Sequence, residues 1–172
     1  VLNDNVVTIK RDCRDGGFLR SQMAQLNEYG FDSAFNEEST QQDVYRKTAQ
    51  PFIPNLLAGM NVTVFAYGAT GAGKTHTMLG NSRVDEATSH TSDAGIIPQA
   101  VKDLFDRIEA KRQVQARGES WAVTCTFVEI YNEQVYDLLQ STGKPLSLRE
   151  DRGQVLVAGV NETITNSAED VM

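Results

Sequence analysis

The chain has 172 residues, a formal net charge of −7, and 40% hydrophobic against 23% charged residues, the balance of an ordinary globular protein long enough for one cored domain. The acidic balance argues against nucleic-acid binding, and against this stretch being the main contact for any acidic polymer. No apolar run approaches the ~18 residues that suggest a membrane span, there is no signal-peptide layout, and the two isolated cysteines, Cys13 and Cys125, suit a reducing compartment better than a disulfide framework. There is no C-x-x-C, and His76 and His90 lack metal-like spacing.

The opening has no Met and looks cut. A short strand is predicted over 6–10, a polar turn over 11–17, and a return strand over 29–32. Ser39-Thr40 ahead of Gln41-Gln42-Asp43 reads as a helix cap. Val44, Thr48, Phe52 and Leu56 recur every four residues, widened by Ile53 and Leu57, so a core-facing helix is expected over 43–58. Pro51 and Pro54 are awkward within it, and each interior proline can cost ~3 kcal/mol. The expectation is a kink, or a restart with Pro51 in a first turn. Gly59 ends this segment.

Residues 62–78 read VTVFAYGATGAGKTHTM. A run rich in β-branched and aromatic residues, predicted to be a strand over 63–67 buried on both faces, ends in Gly68. Gly68, Ala69, Thr70, Gly71, Ala72, Gly73, Lys74 and Thr75 then form G-x-x-x-x-G-K-T, the phosphate-binding loop pattern. Glycine at 71 and 73 permits backbone conformations closed to other residues, so the chain can wrap an anion. Backbone N–H groups and the start of a helix near Lys74 then face the phosphates. Lys74 supplies a compact cation for the β- and γ-phosphates, and the Thr75 hydroxyl is suited to ligate Mg²⁺. Given ordinary residue frequencies the pattern arises by chance in under ~1% of chains this long.

Residues 80–94 form a polar insertion beside this loop, more suited to function or mobility than to packing. Gly95-Ile96-Ile97-Pro98 begins the next helix. Ile97, Val101, Leu104, Phe105 and Ile108 make its buried face, Asp103 and Asp106 with Lys102 and Arg107 its solvated one, and Gly118 follows its end. A long strand is expected over 121–130, with Cys125 in the core, and an apolar run resumes over 135–139. Short strands over 146–148 and 155–157 flank the charged tip Arg149-Glu150-Asp151-Arg152-Gly153, a small β-lobe. Ser167 with Glu169 and Asp170 reads as a helix start.

A nucleoside triphosphatase also needs a second-strand Asp for Mg²⁺ and elements that sense the γ-phosphate. No apolar strand ending in Asp-x-x-Gly follows Thr75. Glu129 and Glu133 suit a local polar contact or a solvated face better than a metal site. Arg149 to Arg152 suits a solvated tip better than a catalytic cluster, although such a tip can bind.

The block from Asn61 to Met78 resembles the phosphate-loop block of the kinesin motor domain, and its Phe65-Ala66-Tyr67 and His76-Thr77-Met78 flanks are specific to that family. Four further stretches agree in order and spacing. They are Phe31-Asp32 to Phe35 with Ser39-Thr40-Gln41; Gly95 to Pro98; Val128 to Glu133 with Tyr136 to Leu139; and Leu148 to Asp151. The resemblance implies an α/β P-loop NTPase fold: three α/β/α layers with a mixed central sheet, here an incomplete motor head with a small β-lobe. It implies ATP and Mg²⁺ as cofactors, Lys74 as the catalytic cation, Gly68 to His76 as the nucleotide-binding residues with His76 against the adenine, and Thr75 on the metal. It further implies a microtubule-stimulated ATPase of the cytoplasm and cytoskeleton, on the spindle in some families, with Arg149 and Arg152 in the lobe that touches β-tubulin. Neither nucleic acid nor membrane is implied, and oligomers would form through coiled-coil regions lying outside 1–172.

Departures from the family pattern are equally visible. The opening strand with its Arg-x-Arg-Pro segment, both switch motifs and the main basic microtubule-binding elements have no counterpart in 1–172. The stretch therefore reads as one partial motor domain, the N-terminal half of a head. Its wording leans toward chromosome-associated or depolymerising motile kinesins. The competing reading is a truncated kinesin-like nucleotide-binding or interaction module without turnover. Residues 1–172 alone are expected neither to fold stably nor to turn over ATP, because the strand over 63–67 would lack neighbours.

Overall fold

The computed structural model describes residues 2–3, 5–11, 25–81, 93–114, 121–140 and 142–172. Residues 12–17 of the turn predicted over 11–17, with Cys13, most of the 80–94 insertion with His90, and Gly118 lie outside the described residues; Arg11 closes a strand instead. The chain divides into two compact units, 1–100 and 101–172.

In the first unit β1 (Leu2–Asn3) pairs with β2 (Val6–Arg11), and β2 pairs with β3 (Gln25–Gly30), both antiparallel. The register runs from Val6 opposite Gly30 to Arg11 opposite Gln25, so the return strand starts earlier than the 29–32 expectation. Thr40 caps α1 (Gln41–Thr48) in a reciprocal box. Its hydroxyl accepts the Asp43 N–H at 3.1 Å, and the Asp43 carboxylate accepts the Thr40 N–H at 3.1 Å. Two donors left over by the first turn are satisfied this way. The Thr40 side-chain and backbone hydrogen bonds also hold the Asp43 carboxyl below its ordinary range.

The two prolines divide the expected 43–58 helix as their chemistry requires. A 3₁₀ turn at Gln50–Phe52 carries Pro51, and α2 (Ile53–Leu57) restarts with Pro54 in its first turn. Both prolines thus sit where a missing N–H costs little. The buried stripe is shifted by one residue from the expected one. Tyr45, Ala49 and Ile53 are buried, while Phe52 and Leu56 are exposed. Ala49 adds little to an apolar pattern but lets another element approach closely, and that selects its stripe. Tyr45, Ala49 and Ile96 form a core against which Val44, Met78 and Ala100 pack. Each large apolar side chain buried there is worth ~1.5–3 kcal/mol.

The strand expected over 63–67 is not found. Residues 60–68 belong to no ladder, and Phe65 and Tyr67 are 81% and 96% exposed. A strand is held by pairing and by cover on its faces; among the described residues no strand pairs with this run. Helix α3 (Lys74–Leu79) follows the loop. The polar insertion closes on a tight stem. Gly80 bridges Ala94, Asn81 N–H donates to the Asp93 carbonyl at 3.2 Å, and Gly95 N–H donates to the Leu79 carbonyl at 3.2 Å.

Helix α4 (Ile96–Val114) begins in the first unit and continues into the second, with Pro98 in its first turn as expected. Its predicted apolar face is mostly half-buried; Ile96 and Ile108 are the buried residues. On its polar face Lys102 pairs with Asp106, and Arg107 with Asp103, each at 2.6 Å.

In the second unit the strand expected over 121–130 is two strands. β4 (Val123–Cys125) pairs with β9 (Thr163–Thr165), and β5 (Val128–Tyr131) pairs with β6 (Gln134–Asp137). The apolar run is continuous, but it changes partner at Thr126-Phe127. Cys125 is half-buried rather than in the core. Asn132 and Glu133, both at positive φ, turn β5 into β6. The charged hairpin forms, but its strands run further than expected: β7 (Ser147–Asp151) takes in Arg149, Glu150 and Asp151 and pairs with β8 (Gln154–Ala158), leaving Arg152 and Gly153, both at positive φ, as the turn. Ser167 and Asp170 make reciprocal capping bonds, but only turns follow them.

Asp137 is the tie point of this unit. It is 8% exposed, and its carboxylate accepts N–H bonds from Asn161 at 2.7 Å, Leu139 at 2.8 Å and Gln140 at 3.2 Å. The Asn161 N–H, then those of Leu139 and Gln140, hold its carboxyl below the usual range against the opposing effect of burial.

Candidate functional site

The loop over 68–75 is shaped by its glycines. Gly71 has φ +81° and Gly73 φ +88°, conformations that cost most other residues ~1–2 kcal/mol. Gly73 is the N-cap of α3, so the chain passes from a left-handed residue directly into the helix. Gly68 sits close to the far side of the loop: a Cβ there would lie 3.2 Å from the Ala72 Cβ, because the loop folds back on itself. The Ala72 N–H closes that turn onto the Ala69 carbonyl at 3.1 Å.

Lys74 is the half-buried first residue of α3. Its ammonium donates to the Gly68 carbonyl at 2.9 Å and the Ala69 carbonyl at 2.8 Å. The cation therefore lies across the mouth of its own loop, held by neutral acceptors. A phosphate oxygen is a stronger, charged acceptor for the same ammonium. Thr75 is exposed beside it.

His76 is exposed one residue further on, and it is tied to α1. The Gln41 amide nitrogen lies 3.0 Å from His76 Nδ1 and donates to the His76 carbonyl at 2.8 Å. Gln99 in turn donates to the Gln41 carbonyl at 3.2 Å and the Ala94 carbonyl at 2.6 Å. Sequence reasoning missed both glutamines, since neither has a spacing that marks a site. The Ser39-Thr40-Gln41 stretch offered the one available signal.

All the expected nucleotide residues, Gly68 to His76, fall in one continuous loop and helix start. Glu129 and Glu133 are exposed on the β5–β6 hairpin, and among the described residues no group of three or more His, Cys, Asp or Glu could hold a metal. Arg149 and Arg152 are exposed on the β7–β8 hairpin. Among the described residues no helix is long and apolar enough to cross a membrane.

A glycine-built phosphate loop running into a helix, within a mixed α/β chain, is the mark of the P-loop NTPase class. The comparisons place the chain more narrowly. The family model "Kinesin motor domain" matches residues 4–172. The kinesin-like protein KIF22 of Danio rerio is 40% identical over 144 residues, covering 83% of this chain and 21% of that protein. The kinesin-like protein KIN-8A of Arabidopsis thaliana is 38% identical over 172 residues, covering 100% of this chain and 22% of that protein. A solved structure of a fast kinesin, described with its implications for ATPase mechanism and interactions with microtubules, superposes with TM-score 0.79 at 28% identity. That match covers 99% of this chain and 43% of the other.

The chain belongs to the kinesin motor-domain family, and its fold class is the P-loop NTPase fold of the motor head. It spans about a fifth of the length of these two relatives, 21% and 22%.

Proposed function

We propose that residues 1–172 are the ATP-binding part of one kinesin motor domain, and that the protein is a microtubule-dependent motor ATPase. The observation that carries this reading is the loop over 68–75 with the Lys74 ammonium across its mouth, in a chain that matches the motor family over 4–172. In this reading the backbone of Gly68, Ala69, Thr70, Gly71, Ala72 and Gly73 encloses the phosphates. Lys74 leaves the Gly68 and Ala69 carbonyls for the β- and γ-phosphate oxygens. Thr75 offers its hydroxyl to Mg²⁺, which neutralises charge building on the phosphates when bound. His76 packs against the adenine.

The residues fit the group. Two left-handed glycines, Gly71 and Gly73, a cation already partly desolvated, Lys74, and an exposed hydroxyl, Thr75, occur within five residues, and a nucleoside triphosphate uses all of them. In this reading the exposed Arg149 and Arg152 contact the microtubule. Binding there would be ionic and would weaken with salt. The protein would act on the microtubule cytoskeleton.

Titration of a fluorescent ATP analogue against wild-type and Lys74→Ala motor heads tests the site. Loss of a charge-assisted contact at the phosphates predicts at least ~10-fold weaker binding. Equal affinities would remove Lys74 from the site.

A further inference from the structure

Gln41 and His76 are 35 residues apart and meet through more than one contact. The Gln41 amide nitrogen donates to the His76 main-chain carbonyl at 2.8 Å. A carbonyl oxygen can only accept, so this bond fixes which end of the amide faces the histidine. The same nitrogen lies 3.0 Å from Nδ1 and 3.4 Å from Nε2 of the ring. A nitrogen this close to both ring nitrogens lies over the face of the imidazole rather than along the in-plane lone pair of either, so it holds the ring by an N–H···π contact and does not select a tautomer.

The clamp has its own support. The Gln99 amide nitrogen donates to two carbonyls, Gln41 at 3.2 Å and Ala94 at 2.6 Å, so its orientation is fixed by the same reasoning. Gln99 is half-buried in the first turn of α4. The elements joined by this relay are also joined by packing, since Tyr45 and Ala49 meet Ile96 with Met78 against them. An exposed histidine at a helix start ordinarily samples several rotamers. Here its backbone and ring are held through one glutamine, itself held by a second.

We propose that Gln41 is a positioning residue for base recognition, fixing the rotamer in which His76 meets the adenine of a nucleoside triphosphate. Ordering the ring before the ligand arrives removes an entropy cost from binding. The proposal rests on the reading of His76 as the base contact.

The test uses a whole motor head and two probes, ATP and inorganic tripolyphosphate, with affinities measured by calorimetry. Gln41→Ala is expected to weaken ATP about 3- to 10-fold, the worth of one hydrogen bond, and to leave tripolyphosphate unchanged. In a His76→Ala background the same substitution should have no further effect.

A Gln41→Ala variant that binds ATP normally while His76→Ala does not would overturn the clamp and leave the base contact standing. Normal ATP binding by His76→Ala would overturn the base contact and the proposal with it. Equal weakening of both probes by Gln41→Ala would show general damage and overturn the positioning role.

Discussion

Replacing Gly95 by alanine puts a methyl group where the structure has no room. Gly95 is buried at the return of the insertion stem. A Cβ there would lie 2.5 Å from the Gly80 nitrogen, and 2.6 Å from both the carbonyl carbon and oxygen of Met78. All three neighbours are backbone, so no side chain can rotate to relieve the clash. The last turn of α3 must separate from the stem instead. Overpacking of this kind costs ~1–3 kcal/mol, and loss of the Gly95 N–H bond to the Leu79 carbonyl adds about 1 kcal/mol. The sum, roughly 2–4 kcal/mol, corresponds to a fall in Tm of ~4–16 °C for a protein of this size. Because α3 carries Lys74 and His76, ATP affinity should fall with it. Gly30→Ala is the control: nothing lies within 4 Å of its Cβ position, so its effect should stay within ~0.5 kcal/mol. Scanning calorimetry of the two variants in a whole motor head decides the matter. A Gly95→Ala variant that melts with the Gly30→Ala protein would show that the two glycines are not packed backbone to backbone, and would refute the reasoning.

Thr75→Ala should make ATP binding much less dependent on Mg²⁺; an unchanged Mg²⁺ requirement in a metal titration would take Thr75 out of the metal site. Substituting Arg149 and Arg152 together by alanine should raise the microtubule concentration needed for half-maximal ATPase by ~3- to 10-fold, with a weaker salt dependence, if each contributes under ~1 kcal/mol as exposed charges do. An unchanged requirement would place the contact elsewhere. Asp137 has a carboxyl pKa lowered from 3.8 by the Asn161 N–H first. Its contribution to stability is therefore complete above that unfolded value and is lost as pH falls through the lower folded one. Asp137→Asn should be less stable at neutral pH and should lack that part of the acid-induced loss. Urea unfolding at a series of pH values measures it, and parallel curves for the two proteins would contradict the assignment.

Local chemistry made much of this legible in advance. The Thr40 cap, the restart at Pro51 and the Pro98 helix start depend on residues near one another in sequence, and each formed where expected; the hairpin around Arg152-Gly153 formed with longer strands than expected. The left-handed glycines of the 68–75 loop were legible for the same reason, since Gly71 to Lys74 are contiguous. What the sequence concealed depends on partners. The run over 63–67 has a buried strand's composition, but no composition supplies a neighbouring strand. The run over 121–130 reads as one strand because its apolar pattern is unbroken; only the exchange of β9 for β6 as partner divides it. The buried stripe of α1 and α2 moved by one residue because two four-residue repeats run in parallel, and the choice between them falls to Ala49. Beyond the Ser39-Thr40-Gln41 stretch nothing marked the roles of Gln41 and Gln99, because a neutral amide carries no pattern until the fold brings a ring or carbonyls to it.

The central claim is that Lys74 and its loop form the ATP site of a microtubule motor. Microtubule-stimulated phosphate release, measured for wild-type and Lys74→Ala motor heads at saturating ATP and microtubules, tests it most directly. Wild-type turnover should rise with microtubule concentration, and turnover should be at least ~100-fold lower in Lys74→Ala, as expected when a charge-stabilising group at the transferred phosphoryl is removed. Near-normal stimulated turnover in the Lys74→Ala protein, or no stimulation of the wild type, would contradict it.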